Sequence, residues 1–80
     1  MLSFAYIVEK DNALCAAVHF IPDDENIARC IQDMTAEYAA EGRNLIAMNY
    51  CKSKKAAYNL ANFWNDDFKA QGRYFDLWAR

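Results

Sequence analysis

The sequence predicts a small α+β domain: a two-layer sandwich of order β-β-α-β-α-(β), with both helices on one face of the sheet. Three observations lead there. Apolar runs rich in Val, Ile, Phe and Tyr at 2–9 and 13–21 are separated only by Lys10-Asp11-Asn12, which reads as a β-hairpin. Two later stretches repeat apolar residues at helical spacing. The chain's two glycines, Gly42 and Gly72, each follow one of those stretches, where a left-handed residue ends a helix.

Taken in order, Pro22 stops the second strand, and Asp23-Asp24-Glu25 supplies an N-cap and acids for a first helical turn. Ile27, Cys30, Ile31, Met34 and Tyr38 then form one narrow stripe, predicting a helix over 23–41. Residues 44–51 read as a third strand, with Ile46, Met48 and Tyr50 on one side and Leu45, Ala47 and Asn49 on the other. Ser53 is a natural N-cap for a second helix, whose stripe is Ala57, Leu60, Ala61, Trp64 and Phe68. Tyr74 to Trp78 alternates weakly and reads as a last strand. Strand–helix–strand crossovers are right-handed, which would place both helices on one face. Yet both faces of the hairpin carry apolar or small residues. Either a second copy or another protein covers the free face, or small residues stand exposed there at little cost.

Eighty residues leave room for a single domain, 1–80, with one small core. The net charge of −2 argues against a surface that is basic throughout, as a general nucleic-acid binder needs, though not against a local patch. Cys15, Cys30 and Cys51 are odd in number and lack a Cys-x-x-Cys spacing, so they read as buried reduced thiols. The N-terminal apolar run lacks a basic start and meets Glu9-Lys10-Asp11 at once, unlike a signal peptide or a membrane span. The expected setting is cytoplasmic.

No catalytic constellation stands out, and neither a metal site nor a cofactor is expected. His19 is the single histidine. Cys15 would share its strand face but lie about 13 Å away, too far to share a metal. Asp66 and Asp67 diverge by about 100° on a helix and cannot face one substrate. Three features remain. Lys52-Ser53-Lys54-Lys55 puts lysines at a helix start, against the helix dipole, and reads either as an anion site or as a solvated turn. Tyr58 and Phe63 lie roughly 100–120° off the centre of the second apolar stripe, as contact aromatics or as packing on a neighbouring element. Asp33, Glu37 and Glu41 line one flank of the first helix, as a wet face or as a mimic of a phosphate row.

At 52–74 the chain carries Ser-Lys-Lys, then Ala-Asn-Phe-Trp-Asn, an aromatic-Lys pair (Phe68-Lys69) and Gly-Arg-Tyr. That segment, about a quarter of the chain, resembles the C-terminal part of small proteins from bacterial phages and mobile elements. The resemblance implies a bacterial setting and, by analogy with anti-CRISPR proteins, an inhibitor of a host or defence protein. The expectation is a non-enzymatic binding protein that inhibits or modulates a larger bacterial protein through Lys52, Lys54, Lys55, Tyr58 and Phe63. The alternative is a small nucleic-acid-binding module using Lys52, Ser53, Lys54, Lys55, Lys69 and Arg73, with Tyr58 for stacking.

Overall fold

The computed structural model describes residues 2–78. Five elements follow one another: β1 (Leu2–Lys10), β2 (Ala13–Ile21), α1 (Ile27–Ala40), β3 (Asn44–Cys51) and α2 (Lys54–Ala70). The sheet order is β2-β1-β3, with β1 antiparallel to both neighbours. The α+β class and the order β-β-α-β-α are those the sequence predicts. The hairpin closes with two residues, Asp11 and Asn12, at φ 52° and 69°, the backbone of a type I′ turn. Asp and Asn are the side chains that best tolerate that region after glycine.

The placement of the helices differs from the expectation: they lie on opposite faces, giving three layers. Phe4, Tyr6 and Val8 of β1 form one core with Cys15, Ala17 and, from α1, Met34. Ala5 of β1 forms the other with Leu14, Ala16 and, from α2, Ala61 and Phe68. The handedness rule constrains only β2-α1-β3, which joins two parallel strands across β1. Among the described residues no strand of the sheet follows α2, so α2 is free to take the face whose apolar residues still need cover. The bare hairpin face therefore does not exist, and a second copy has nothing to cover there.

Each helix is bounded by its own local chemistry. Asp23-Asp24-Glu25 lies in a turn before α1 rather than in its first turn, with the Glu25 N–H donating to the Pro22 carbonyl at 3.1 Å. Asn26 is the actual N-cap, its side-chain oxygen accepting from the Arg29 N–H at 3.0 Å. Ser53 caps α2 in the same way through the Ala56 N–H. At the other ends, the Arg43 N–H donates to the Tyr38 carbonyl and the Gly42 N–H to that of Ala39. Arg73 and Gly72 repeat this on Phe68 and Lys69. Both are Schellman motifs, with the glycines at φ +76° and +68°.

In β3 the register shifts opposite Ile7/Val8, leaving Ile46 without a partner. This bulge puts Leu45 opposite Val8, on the face of Met48 and Tyr50, and so breaks the simple alternation read from the sequence. Residues 74–78 are not a strand. Tyr74 makes a single parallel bridge to Leu14 at the edge of β2. The chain then crosses that edge to the α1 face, where Leu77 is buried in the first core.

The outer edge of β2 is closed in two ways. The Leu14 N–H donates to the Arg73 carbonyl at 2.7 Å, and the Phe75 N–H donates to the Leu14 carbonyl at 3.2 Å. One step along, the Asn65 side chain of α2 accepts from the Ala16 N–H (2.7 Å) and donates to the Ala16 carbonyl (3.0 Å), standing in for a neighbouring strand. Asn65→Ala should cost about 1–3 kcal/mol, because it strips both partners from a part-buried backbone. Asn65→Asp should not restore the loss at neutral pH, since a carboxylate can accept but cannot donate to Ala16. Urea unfolding of the three proteins checks this; an Asp variant as stable as wild type would refute the pairing.

Candidate binding groove

Among the described residues, the side chains that bear chemistry gather on the α1 face. There α1 packs nearest to β3, leaving much of β2 to be covered by the tail. Two hollows of about 400 and 600 Å³ lie along α1 and meet at His19, Met34 and Glu37. The floor is His19 of β2 and Tyr6 of β1, and Leu77 and Trp78 line the far end. Glu25, Asp33, Glu37 and Glu41 supply four carboxylates against Arg29 and Arg43. Arg43 is already engaged, with Nη1 3.4 Å from a Glu41 carboxylate oxygen and donating to the Leu77 carbonyl at 3.2 Å. The groove is therefore acidic at its rim, over a floor of the Tyr6 and His19 rings.

Its inner groups pair with one another. The Tyr6 and Tyr38 hydroxyls are 2.8 Å apart. The Cys30 Sγ lies 3.5 Å from the His19 Nε2, and the His19 ring leans on Phe4 with centroids 5.5 Å apart. This Cys–His contact comes from two different elements, whereas Cys15 shares His19's strand face. Partial burial, and then the carboxylates of Glu25, Asp33 and Glu37, push the Cys30 thiol up from its ordinary range. Burial likewise raises the Cys15 thiol, and burial together with the Tyr38 hydroxyl raises Tyr6. At neutral pH these groups hold their protons. Of the three thiols Cys15 alone is buried, while Cys30 and Cys51 are half-exposed, which corrects the expectation of three core cysteines. Among the described residues, no three His, Cys, Asp or Glu side chains are grouped as metal ligands would be.

The residues singled out in the sequence do not form one surface. Tyr58 packs edge-on to Phe20 with centroids 5.9 Å apart, and the Lys54 ammonium sits 4.8 Å from the same ring. Lys54 thus has a structural contact at the edge of β2. Phe63 projects from the other flank of α2 and is 70% exposed. Lys69 lies over the Tyr74 ring at 4.7 Å, and the Arg73 Nε donates to the Asn12 carbonyl. These two sit at the hairpin end, about 21 Å along α2 from Lys55 by helical rise. Lys52, Ser53 and Lys55 are exposed at the start of α2. The acidic row Asp33, Glu37 and Glu41, which the sequence offers as a wet face or a phosphate mimic, lines the groove on the flank that carries Cys30; the hollow beside it over His19 and Tyr6 is not readable from the sequence.

Comparison with protein-family models, with curated proteins and with solved structures finds no match to this chain. Among the described residues no helix is long and apolar enough to cross a membrane.

The electrostatics of the groove can be read at Cys30. In a Cys15→Ala, Cys51→Ser background, the pH midpoint of Cys30 alkylation should lie above the usual thiol value of about 8.5. Glu37→Gln should lower it, because a nearby negative charge disfavours the thiolate. A midpoint at or below the usual value would show that the carboxylates do not act on this site.

Proposed function

We propose that this protein is a non-enzymatic binding protein that inhibits or modulates a larger bacterial protein by engaging a cationic segment of it. The observation that carries this reading is the acid-rimmed groove along α1, with its floor of Tyr6, His19 and Met34. Such a surface offers Lys or Arg side chains carboxylates at their heads and apolar contact along their stems. Trp78, 71% exposed at one end, adds an aromatic face for the same cations. The protonated thiols and the paired tyrosines favour binding over chemistry. A partner that itself contacts nucleic acid would present a suitable cationic surface, and the row Asp33, Glu37, Glu41 would take the place of phosphates.

The experiment is affinity capture from nuclease-treated bacterial lysate. It compares wild type with Asp33→Lys/Glu37→Lys and with Lys52→Glu/Lys54→Glu/Lys55→Glu. The expected result is a protein partner that is lost in the first variant, retained in the second, and released as salt rises. A partner insensitive to both the groove reversal and salt would sink the reading. Loss in the lysine variant alone would move the contact to the start of α2.

A further inference from the structure

Building on the reading of the groove as a cation site, we infer that its occupant is an extended segment that joins the sheet as an added strand beside β2, along residues 18–20. β2 bonds outward at alternate residues. The Leu14 N–H and carbonyl are taken by Arg73 and Phe75, and those of Ala16 by the Asn65 side chain. The register with β1 runs unbroken from there to Leu2 and Ile21, so Val18 and Phe20 turn their N–H and carbonyl groups outward in the same way. The closure of the edge stops at Ala16, and among the described residues these four groups have no protein partner.

The open stretch and the groove meet at one residue. His19 stands between Val18 and Phe20, turns its side chain to the α1 face and lines both hollows. Its Nε2 lies 3.5 Å from the Cys30 Sγ, and the carboxylates of Glu25, Asp33 and Glu37 are near enough to act on that thiol. β3 also ends the sheet, but it lines neither hollow.

This placement sets the chemistry of the segment. In an added strand, the residue opposite His19 points to the same face as His19, and its two neighbours point to the α2 face. The first therefore enters the groove beside Glu25, Asp33 and Glu37, which calls for Lys or Arg. The neighbours lie against Val18 and Phe20. The Phe20 ring already takes Tyr58 edge-on and the Lys54 ammonium at 4.8 Å, which favours apolar residues and opposes a further cation. The segment is thus apolar, basic, apolar, with main-chain bonds to Val18 and Phe20 for affinity and the side chains for selectivity. A second copy of this chain does not fit. Pairing two β2 edges about His19 would set two acidic grooves against each other.

The test is an NMR titration of the isotope-labelled full chain with the capped peptide acetyl-Thr-Val-Arg-Val-Thr-amide, joined to amide hydrogen exchange. In the free chain, the Val18 and Phe20 amides are expected to exchange fast and that of His19, bonded inward to Phe4, slowly. The peptide is expected to shift the signals of Val18, His19, Phe20 and Cys30 and to slow exchange at Val18 and Phe20. N-methylation of both peptide valines removes the N–H groups that face β2 and is expected to weaken binding about tenfold or more. N-methylation of the arginine, whose N–H faces away, is expected to change it by no more than about twofold. Binding indifferent to the valine methyls overturns the added strand and leaves the groove as a site for side chains alone. So do shifts confined to α1, and so does the absence of any shift at Val18 and Phe20 at about 5 mM peptide. Replacing the peptide's arginine by glutamate is expected to abolish the shifts; a glutamate peptide that binds equally well overturns the cation reading of the groove itself.

Discussion

Everything in this fold depends on β1 being buried on both faces. Phe4, Ala5, Tyr6 and Val8 are each 2% exposed or less, so the central strand tolerates water on neither side. A three-stranded sheet covered on one face would leave Ala5, Leu14 and Ala16 wet beside Ile7 and Val18. Covering both faces with 80 residues requires one helix per face. It also requires the chain after α2 to cross back over β2, because α1 alone does not close the first core. Leu77, 3% exposed, is the residue that completes it.

The two faces are built differently, and that difference sets what each can do. Under α2 the sheet presents Ala5 and Ala16, and the helix answers with Ala57 and Ala61. Small residues on both sides let helix and sheet approach closely, which in turn lets the Asn65 side chain reach the backbone of Ala16. Under α1 the sheet presents Phe4 and Tyr6, with Phe4 against both His19 and Tyr50. Rings hold that helix farther off and meet it through Met34 and Tyr38. The groove is the space left beside such a helix, where the aromatic floor is wide and the tail covers only one end.

Local features of this chain were legible in its sequence to the extent that each was fixed by near neighbours. The hairpin, the Ser53 cap and the two glycine stops depend on a few adjacent residues, and all were readable. The start of α1 was not, because Asp23, Asp24 and Asn26 all make good caps and the Pro22 turn decides among them. The faces of the helices were not, because handedness constrains only a helix between two parallel strands. The doubly apolar hairpin was the clue, pointing to cover from within the chain rather than from outside it. The site residues were legible as chemical oddities but not as a surface. Tyr58 and Lys54 are drawn to Phe20, while Phe63 stands on the other flank, a separation that helical spacing implied but that gained meaning only once the position of β2 was known.

The distribution of charge follows from the same architecture. On α1 the carboxylates of Asp33, Glu37 and Glu41 stand together although like charges at i, i+4 weaken a helix by a few tenths of a kcal/mol per pair. Stability alone would have scattered them around the exposed arc, including the flank toward β3, where Ala28, Thr35 and Ala39 stand instead. There Asp33 and Glu37 add to partial burial in raising the Cys30 thiol, and Arg43 is divided between Glu41 and the tail carbonyl of Leu77. One helix therefore separates an acidic side from an uncharged one, above a sheet whose β2 edge is capped by residues 73–75 and the Asn65 amide. A chain this small has few surface positions to spare, and segregation at a cost to helix stability is what a polar contact along the groove would require.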